Sequence, residues 1–176
     1  TYVGSLFIDG TAGQITCHRA WGQSRKWGIW NAYNRQPLYL KAGDSTASWT
    51  YMTATIRASN NASANSLTVF QGLAEEFYDL RFEQNAQHDS TTPTVIANGI
   101  GWNSTTAISG KTSKAGKAGE LTGDEGVDCS LAASYLQVPA LGINVVTALE
   151  NAPTASGTST WYGGEDDMLL MAKWRG

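Results

Sequence analysis

The sequence predicts an all-β protein, and three observations lead to that prediction. About ten short segments alternate apolar and polar residues or form brief β-branched and aromatic runs. Gly, Asn, Asp and Pro separate these segments at nearly regular intervals. No strand–helix alternation appears, and no internal repeat of roughly 20–50 residues is evident. Many short strands with such turns are typical of an antiparallel sandwich, a jelly roll or a barrel.

The predicted strands cover most of the chain. An apolar run at residues 2–8 ends at the turn dipeptide Asp9-Gly10. Residues 48–57, SWTYMTATIR, alternate most clearly. Residues 73–87 fit a helix or a strand, and we favour a strand because YDLRFEQ alternates strictly. The other predicted strands are residues 14–21, 26–33, 38–41, 66–71, 94–102, 105–109, 127–139, 141–150, 157–162 and 168–175.

One stretch, residues 13–40, is more aromatic and more basic than the rest of the chain. Read alone, it is two or three strands separated by turns. We therefore expect the sheet core to be organised around it. Its rings and the arginines between them are Trp21, Trp27, Trp30, Tyr33, Tyr39, Arg19, Arg25 and Arg35.

The composition indicates a single domain, residues 1–176, with a neutral surface. A chain of 176 residues can bury a core large enough to fold without a metal or a disulfide. Charged residues make up 15%, against a typical quarter, and the polar remainder is rich in hydroxyls and amides. Such a surface suits an extracellular or virion protein, or a sugar binder.

The charge and hydropathy patterns exclude two partner classes. The net charge of −3 argues against nucleic acid, because phosphate binding draws on clustered Lys and Arg. No apolar run approaches the ~20 residues that a membrane-spanning helix needs, so we expect no membrane insertion. The chain opens on Thr1 in strand-like sequence without a visible signal peptide. We expect it to be part of a longer protein.

Two small-residue segments and two cysteines complete the pattern. Residues 58–65 and the Gly- and Lys-rich residues 110–126 are predicted to be loops at the distal end of the domain. Cys17 and Cys129 show no spacing signature, so two free thiols are expected and a disulfide stays open.

No specific catalytic constellation is present, and we expect no enzyme activity, no metal and no cofactor. The motifs of serine hydrolases, zinc proteases and nucleotide-binding loops are missing. His18 and His88 have no partner at metal-ligand spacing and are predicted to be structural.

Clusters of carboxylates could serve catalysis or bind calcium, but a solvated surface position also explains them. Glu75, Glu76 and Asp79 could serve glycoside hydrolysis, which uses two carboxylates roughly 5–10 Å apart. Adjacent acidic residues in a turn are normally solvated, and the same holds for residues 165–167. The segment TGDEGVD at residues 122–128 could offer oxygen ligands to calcium, but it lacks the spacing of an EF-hand loop.

Aromatic residues near strand ends are the best ligand-binding candidates. Most of the seven Trp and seven Tyr are expected to fill the core or an interface. An aromatic face beside amide and hydroxyl groups can instead stack on a sugar ring. The residues placed for that role are Trp102, Asn103, Trp161, Tyr162, Asn60 and Asn61.

The chain resembles the C-terminal domains of tailed-bacteriophage fibre or spike proteins. The segments that carry this resemblance span nearly the whole chain: TYVGSLFIDGTAGQ, GQSRKWGIWNAYNRQPLYLKAGDSTASWTY, RASN, LTVFQGLAEE, GIGWNSTTA and the terminal MLLMAKWRG.

The resemblance implies a receptor-binding tip on the virion surface. Such tips are typically homotrimers with a jelly-roll or other β-sandwich fold, broadly similar to the TNF/C1q shape. They attach to polysaccharide or protein on the bacterial surface, and they follow an upstream fibre shaft or contact other virion proteins. No catalytic residue is carried over. A trimer interface would be aromatic, built partly from residues 21–33 and from the terminal strand with Trp174.

Two other functions fit the same residues. The chain could be a structural trimerisation or capsid-decoration domain that binds no receptor. It could also be the carbohydrate-binding module of a glycan-cleaving spike.

Overall fold

A computed structural model describes residues 1–8, 25–89, 94–117, 127–154 and 157–175, and it is almost entirely β-structure. Within these ranges a single turn of 3₁₀-helix, Ser59–Asn61, is the sole helical element, and no helix could cross a membrane. The strands are β1 (Gly4–Leu6), β2 (Arg25–Trp27), β3 (Ile29–Asn31), β4 (Pro37–Ala42), β5 (Ser48–Thr50), β6 (Arg57–Ala58), β7 (Ser66–Gln71), β8 (Tyr78–Asp89), β9 (Thr94–Trp102), β10 (Ser109–Lys117), β11 (Val127–Gln137), β12 (Gly142–Thr154), β13 (Thr158–Tyr162) and β14 (Met168–Arg175).

The strands form two layers that face each other. Sheet I has the order β2-β7-β12-β9-β10, and β6 follows β7 along the same edge of β12. In sheet II, β8 pairs with β11 on one edge and with β14 and then β13 on the other. Strand β4 pairs with the outer side of β14, and β5 pairs with the outer side of β13. One pairing, Lys111 with Ser134, joins the layers through β10 and β11. A sheet that folds over itself in this way is an antiparallel β-sandwich, which confirms the predicted fold class.

Period-two alternation decides which side chains enter the sandwich. Along β8, Leu80 and Phe82 are buried between the layers, while Arg81 and Glu83 are exposed on the outer face. The strand prediction for YDLRFEQ is therefore confirmed, and the alternative helix is wrong.

The interior has two apolar clusters with polar residues between them. The first cluster includes Leu80, Phe82, Ile100, Ala148 and Trp174, and the second consists of Ala86, Ile96, Leu131, Ala152 and Trp161. On each of three strands, an inward-facing polar residue lies between a residue of the first cluster and one of the second. These triplets are Phe82–Gln84–Ala86 in β8, Ile100–Asn98–Ile96 in β9 and Ala148–Glu150–Ala152 in β12. The Asn98 amide donates to the backbone carbonyls of Phe82 (3.4 Å) and Leu131 (3.3 Å) in sheet II. This polar layer thus ties the two sheets together across the core.

The aromatic stretch contributes to one end of this core but does not organise it. Within the described ranges, two of its strands lie at sheet edges, since β2 pairs there with β7 and β4 with β14, each on one side only. The strands with most partners are β8 and β12. Trp27 packs edge-on against Trp174 at 6.4 Å between ring centroids, and Trp30 stacks on Tyr2 at 5.7 Å. Residues 9–24, including Trp21, Cys17 and His18, lie outside the described ranges.

The terminal strand belongs to the core of its own chain. Trp174 is 3% exposed and stacks on Tyr78, with centroids 5.2 Å apart. The expectation that Trp174 lies in an interface between copies is wrong for this reason.

Several predicted strand bounds are corrected. Residues 51–56 form no strand, because the chain leaves sheet II after β5 and joins sheet I at β6. Residues 105–108 are an irregular loop and not a strand. Conversely, residues 110–117 were expected to be loop and belong to β10, and residues 151–154 extend β12. Residues 118–126, with Asp124 and Glu125, are outside the described ranges.

Candidate functional site

The outer face of sheet II carries a row of polar side chains across three neighbouring strands. Asp128 of β11 pairs with Gln87 of β8, which pairs with Thr160 of β13. Ser130 and Asn85 form the next pair. Because neighbouring strands in register point their side chains to the same face, these groups share one surface.

A cleft of about 480 Å³ opens on this surface. Tyr162, at the end of β13, and Asp167, just before β14, both border the cleft on the side of β8 away from β11. The lining residues are Asn85, Ala86, Asp128, Cys129, Ser130, Tyr162 and Asp167.

Hydrogen bonds hold the walls of this cleft in place. The Tyr162 hydroxyl donates to Gln87 Oε1 at 3.2 Å, which fixes the ring orientation. Asn85 donates its backbone N–H to the Asp167 carbonyl at 2.8 Å and its Nδ2 to Asp167 Oδ1 at 2.9 Å. The turn itself packs tightly, since a Cβ on Gly163 would collide with the carbonyl oxygen of Thr46. The site is therefore preorganised on rigid strands.

The lining chemistry suits a neutral, hydroxyl-rich ligand. A tyrosine ring offers an apolar face on which a sugar ring can stack. The carboxylates of Asp128 and Asp167 accept hydrogen bonds, and the Ser130 hydroxyl both donates and accepts. Among the residues that the structure describes, no lysine or arginine lines the cleft to pair with a phosphate or carboxylate.

Cys129 lies in the same cleft and is poorly suited to act as a nucleophile. Its thiol is free and half-buried. Burial, and next the charge of Asp128, raise the pKa of the Cys129 thiol above its ordinary value. Since the thiolate is the reactive form, this shift disfavours covalent chemistry here.

Trp161 and Tyr162, two adjacent candidates for ligand binding in β13, point to opposite faces of sheet II. Tyr162 reaches the cleft, whereas Trp161 is 0% exposed and belongs to the second apolar cluster. Trp161 Nε1 donates to the carbonyl of Tyr51 at 3.2 Å. The prediction that Trp161 faces a ligand is wrong, because strand alternation turns its ring inward.

Trp102 and Asn103 lie on sheet I, away from the Tyr162 cleft. The Trp102 ring is half-buried against Tyr78, with centroids 5.9 Å apart. Asn103 is exposed in a left-handed conformation (φ 51°), and its Oδ1 accepts from the Val145 N–H at 2.7 Å. A second surface cleft of about 510 Å³ runs between Asn103 and Thr147, lined by hydroxyls of residues 104–106.

Asn60 and Asn61 lie in a third place, in the 3₁₀ turn between β6 and β7. Asn60 Nδ2 donates to Asp44 Oδ2 at 3.1 Å and to Thr46 Oγ1 at 3.2 Å. Its backbone N–H donates to Glu150 Oε1 at 3.2 Å. Asn60 thus uses its amide nitrogen inside the chain, while Asn61 is exposed. The prediction that Asn60 binds a ligand is not supported by these contacts, because its side-chain nitrogen already has two partners within the chain.

Glu150 is the centre of this internal network. It is 0% exposed, and its carboxylate accepts from Trp49 Nε1 at 2.8 Å, Arg57 Nε at 2.9 Å and Arg57 Nη2 at 2.8 Å. The Arg57 guanidinium also lies 3.5 Å above the Tyr51 ring. Burial raises the pKa of Glu150, although the hydrogen bonds from Trp49 and Arg57 oppose that shift. With these partners in the chain, Glu150 joins β5 and β6 to β12.

Asp44 anchors the other side of the network. Burial alone would raise its pKa, but hydrogen bonds from Asn65, Thr46 and Asn60 outweigh burial and lower it. Asn65 Nδ2 donates to Asp44 Oδ2 at 2.8 Å and to the Ser59 carbonyl at 2.8 Å.

Sequence reasoning found Tyr162 but missed the residues that surround it. Alternation in YDLRFEQNAQHD and VDCSLAAS identifies which residues face outward. It does not tell which strands are neighbours, and the cleft depends on the order β11-β8-β13. Glu150 is the lone carboxylate in LGINVVTALE, and this pattern is a signal for the network. A carboxylate that is buried with an apolar strand needs a partner that donates hydrogen bonds to it.

Comparison with known proteins adds no identification. No family model, curated protein or solved structure matches this chain.

Proposed function

We propose that this chain is an attachment domain that binds glycan on a bacterial surface through the Tyr162 cleft. In this proposal it is displayed on a virion as the tip of a fibre, as a homotrimer joined to an upstream shaft or to other virion proteins. The observation that carries the binding role is the preorganised cleft, with one aromatic wall and uncharged or acidic hydrogen-bonding groups.

The domain acts by binding alone in this proposal. Three of the carboxylates considered for hydrolysis lie outside the cleft and face arginines: Arg35 binds Glu75 and, at 3.2 Å, Glu76. Asp79 faces Arg81 at 3.5 Å on the exposed strand surface. Each of these three carboxylates has a guanidinium partner within the chain, and none of the three lines the Tyr162 cleft.

An array of bacterial surface glycans tests the proposal directly. The intact chain is expected to bind one or more neutral glycans, and Tyr162→Ala to weaken that binding by about tenfold or more. Tyr39→Ala is the matched control, since Tyr39 is exposed on the outer face of β4 in the same sheet. Equal loss in both variants, or binding that survives Tyr162→Ala, would remove the cleft from the proposal.

A purely structural role in assembly or capsid decoration is the second candidate. It is favoured by exposed large apolar side chains such as Leu141 and Phe77, which suit contact with protein. A chain that binds no glycan yet associates with virion proteins would establish this alternative.

A further inference from the structure

A groove of about 600 Å³ lies on the outer face of sheet II, beside the Tyr162 cleft. Strands β8 and β10 form its two sides, and β11 forms the floor between them. Charged side chains stand on both sides, and short side chains make up the floor. We call it the charged groove. The residues that define it are Asp79, Arg81, Glu83, Lys111, Ala132 and Ser134.

Strand register brings opposite charges to face each other across this floor. Lys111 pairs with Ser134, and Ser134 pairs with Arg81. Glu83 pairs with Ala132, two residues away along the same two strands. Paired residues of antiparallel strands point to the same face. Lys111 and Glu83 therefore lie on opposite sides of β11, separated by two strand spacings, which is roughly 10 Å across the sheet.

The β10 side of the groove is held in place by a change of strand partner. The register of β10 against β9 shifts before Ser113, and there β10 meets β11. Gly110 has a left-handed conformation (φ 75°), and a Cβ at this position would collide with the Tyr135 ring. The Ala132 N–H donates to Ser113 Oγ at 3.0 Å. The backbone that carries Lys111 thus lies directly against β11, so this side of the groove is in place before a ligand binds.

The charges on the two sides do not neutralise each other by direct contact. Among the residues that the structure describes, neither Lys111 nor Glu83 forms an ion pair. Arg81 faces Asp79 at 3.5 Å, and both side chains are about half exposed, so the guanidinium keeps donors for another carboxylate. A ligand with a single charge would meet a like charge on the far side of the groove. A ligand that carries both charges can place each one beside its opposite.

We propose that the charged groove binds a small zwitterion, a ligand that carries an ammonium and a carboxylate on one molecule. Its carboxylate lies above Ser134, where it accepts hydrogen bonds from Lys111 and Arg81. Its ammonium donates to Glu83, and the carbon chain between the two groups rests on Ala132. Two residues along a strand cover roughly 7 Å, which sets the separation of the two charges in the ligand. Amino acids with an extended chain and short peptides have this chemistry.

This site is separate from the Tyr162 cleft, although both use β8 and β11. The Glu83–Ala132 pair lies next to the Asn85–Ser130 pair of the cleft on the same face. Within the described ranges, cations line the groove but not the cleft. The inference therefore adds a second binding site and does not depend on glycan recognition.

Titration of the whole chain with ε-aminocaproate at low ionic strength tests this inference. This compound carries an ammonium and a carboxylate at opposite ends of a saturated carbon chain. Caproate and hexylamine are the matched control ligands, since each keeps the chain and lacks one charge. An NMR titration is expected to show at least about tenfold tighter binding of ε-aminocaproate than of either control. The amide signals that shift should belong to β8, β10 and β11.

Lys111→Gln and Glu83→Gln each remove the charge from one side of the groove and keep a side chain of similar length. Each should weaken the binding of ε-aminocaproate by about tenfold. Lys114→Gln and Asp89→Asn are the matched controls, because both residues are exposed on the same strands, β10 and β8, and neither lines the groove. Both controls should bind like the unmodified chain. Circular dichroism shows that each variant is folded.

Each outcome decides the inference. Selective loss in Lys111→Gln and Glu83→Gln supports it. Three results overturn it: no binding of ε-aminocaproate, equally tight binding of caproate or hexylamine, or an equal loss in the control variants. Glycan binding is measured separately on the same variants. Failure of the groove leaves the Tyr162 cleft standing, and failure of the cleft leaves the groove standing.

Discussion

The two faces of sheet II use polar groups in opposite ways. On the inner face, buried polar side chains find partners within the chain: His88 Nδ1 lies 2.8 Å from Ser159 Oγ, and Trp161 Nε1 donates to a backbone carbonyl. On the outer face, Asp128 and Ser130 line an open cleft. Consecutive residues on one strand can therefore serve stability and recognition separately, because alternation sends them to different environments.

Glu150 and Asp128 show the same contrast between an enclosed and an exposed carboxylate. Glu150 is enclosed, and its bonds to Trp49 and Arg57 join the edge strands to β12. Asp128 is exposed and retains the capacity to accept hydrogen bonds from a ligand. We infer that a carboxylate in this fold is structural where a guanidinium meets it in the interior, and available for binding where it faces the cleft.

Trp161→Ala should give the largest effect and test the inner face. Removing a buried tryptophan deletes packing in the second cluster and leaves a cavity, at a cost of about 3–5 kcal/mol in the free energy of unfolding. Urea denaturation measures the change. A loss below about 1 kcal/mol would show that the ring is not enclosed as described.

Arg57→Ala should give the next largest effect. It leaves the Glu150 carboxylate buried without its cation, and we expect a loss of about 2–4 kcal/mol. The lower part of that range allows for the 25% exposure of the Arg57 side chain. Arg81→Ala is the matched control, since its pair with Asp79 is exposed and should contribute less than about 1 kcal/mol. Equal effects in both variants would contradict a special role for the buried pair.

The sequence predicts several strands and the face that each side chain occupies, but it does not predict where the strands end or which strands are neighbours. Alternation predicts β8 and the inward or outward orientation of its side chains, and the apolar terminal run predicts β14 as a strand. The same rule places Trp161 and Tyr162 on opposite faces, so their position beside a turn does not make both of them ligand contacts. Residues 51–56 alternate like a strand, yet tertiary contacts with Arg57 and β12 divert them.

Long-range pairing is what the sequence does not reveal. Glu150 meets Trp49 and Arg57 across about a hundred residues of chain, and Asn85 meets Asp167 across a similar distance. Nothing local to either partner specifies the other. The cleft and the network both depend on strand order, which arises from the packing of the whole sandwich.

Stability should respond to pH in two opposed ways. Because the folded-state pKa of Glu150 is raised above 4.5, its contribution is fully present below pH 4.5 and is lost as pH rises through the folded value. The lowered pKa of Asp44 acts in the other direction: its contribution is present above pH 3.8 and is lost as pH falls through the folded value.

The two groups can be separated by denaturation at a series of pH values. Acidification from neutrality towards pH 4.5 should favour the unmodified chain relative to Glu150→Gln. Further acidification should destabilise the unmodified chain relative to Asp44→Asn. Curves that keep a constant separation across the series would contradict the assigned shifts.

Tyr162→Phe should have the smallest effect on stability and sharpens the comparison most. It keeps the ring but removes the hydrogen bond to Gln87, so unfolding should change by about 0.5–1 kcal/mol. If stacking on a sugar ring provides the binding energy, glycan affinity should fall less than in Tyr162→Ala. If Tyr162→Phe instead loses as much binding as Tyr162→Ala, the hydroxyl and not the ring face is the recognition element. The cleft would then select its ligand through hydrogen bonds from Tyr162 and its polar row, with no role for aromatic stacking.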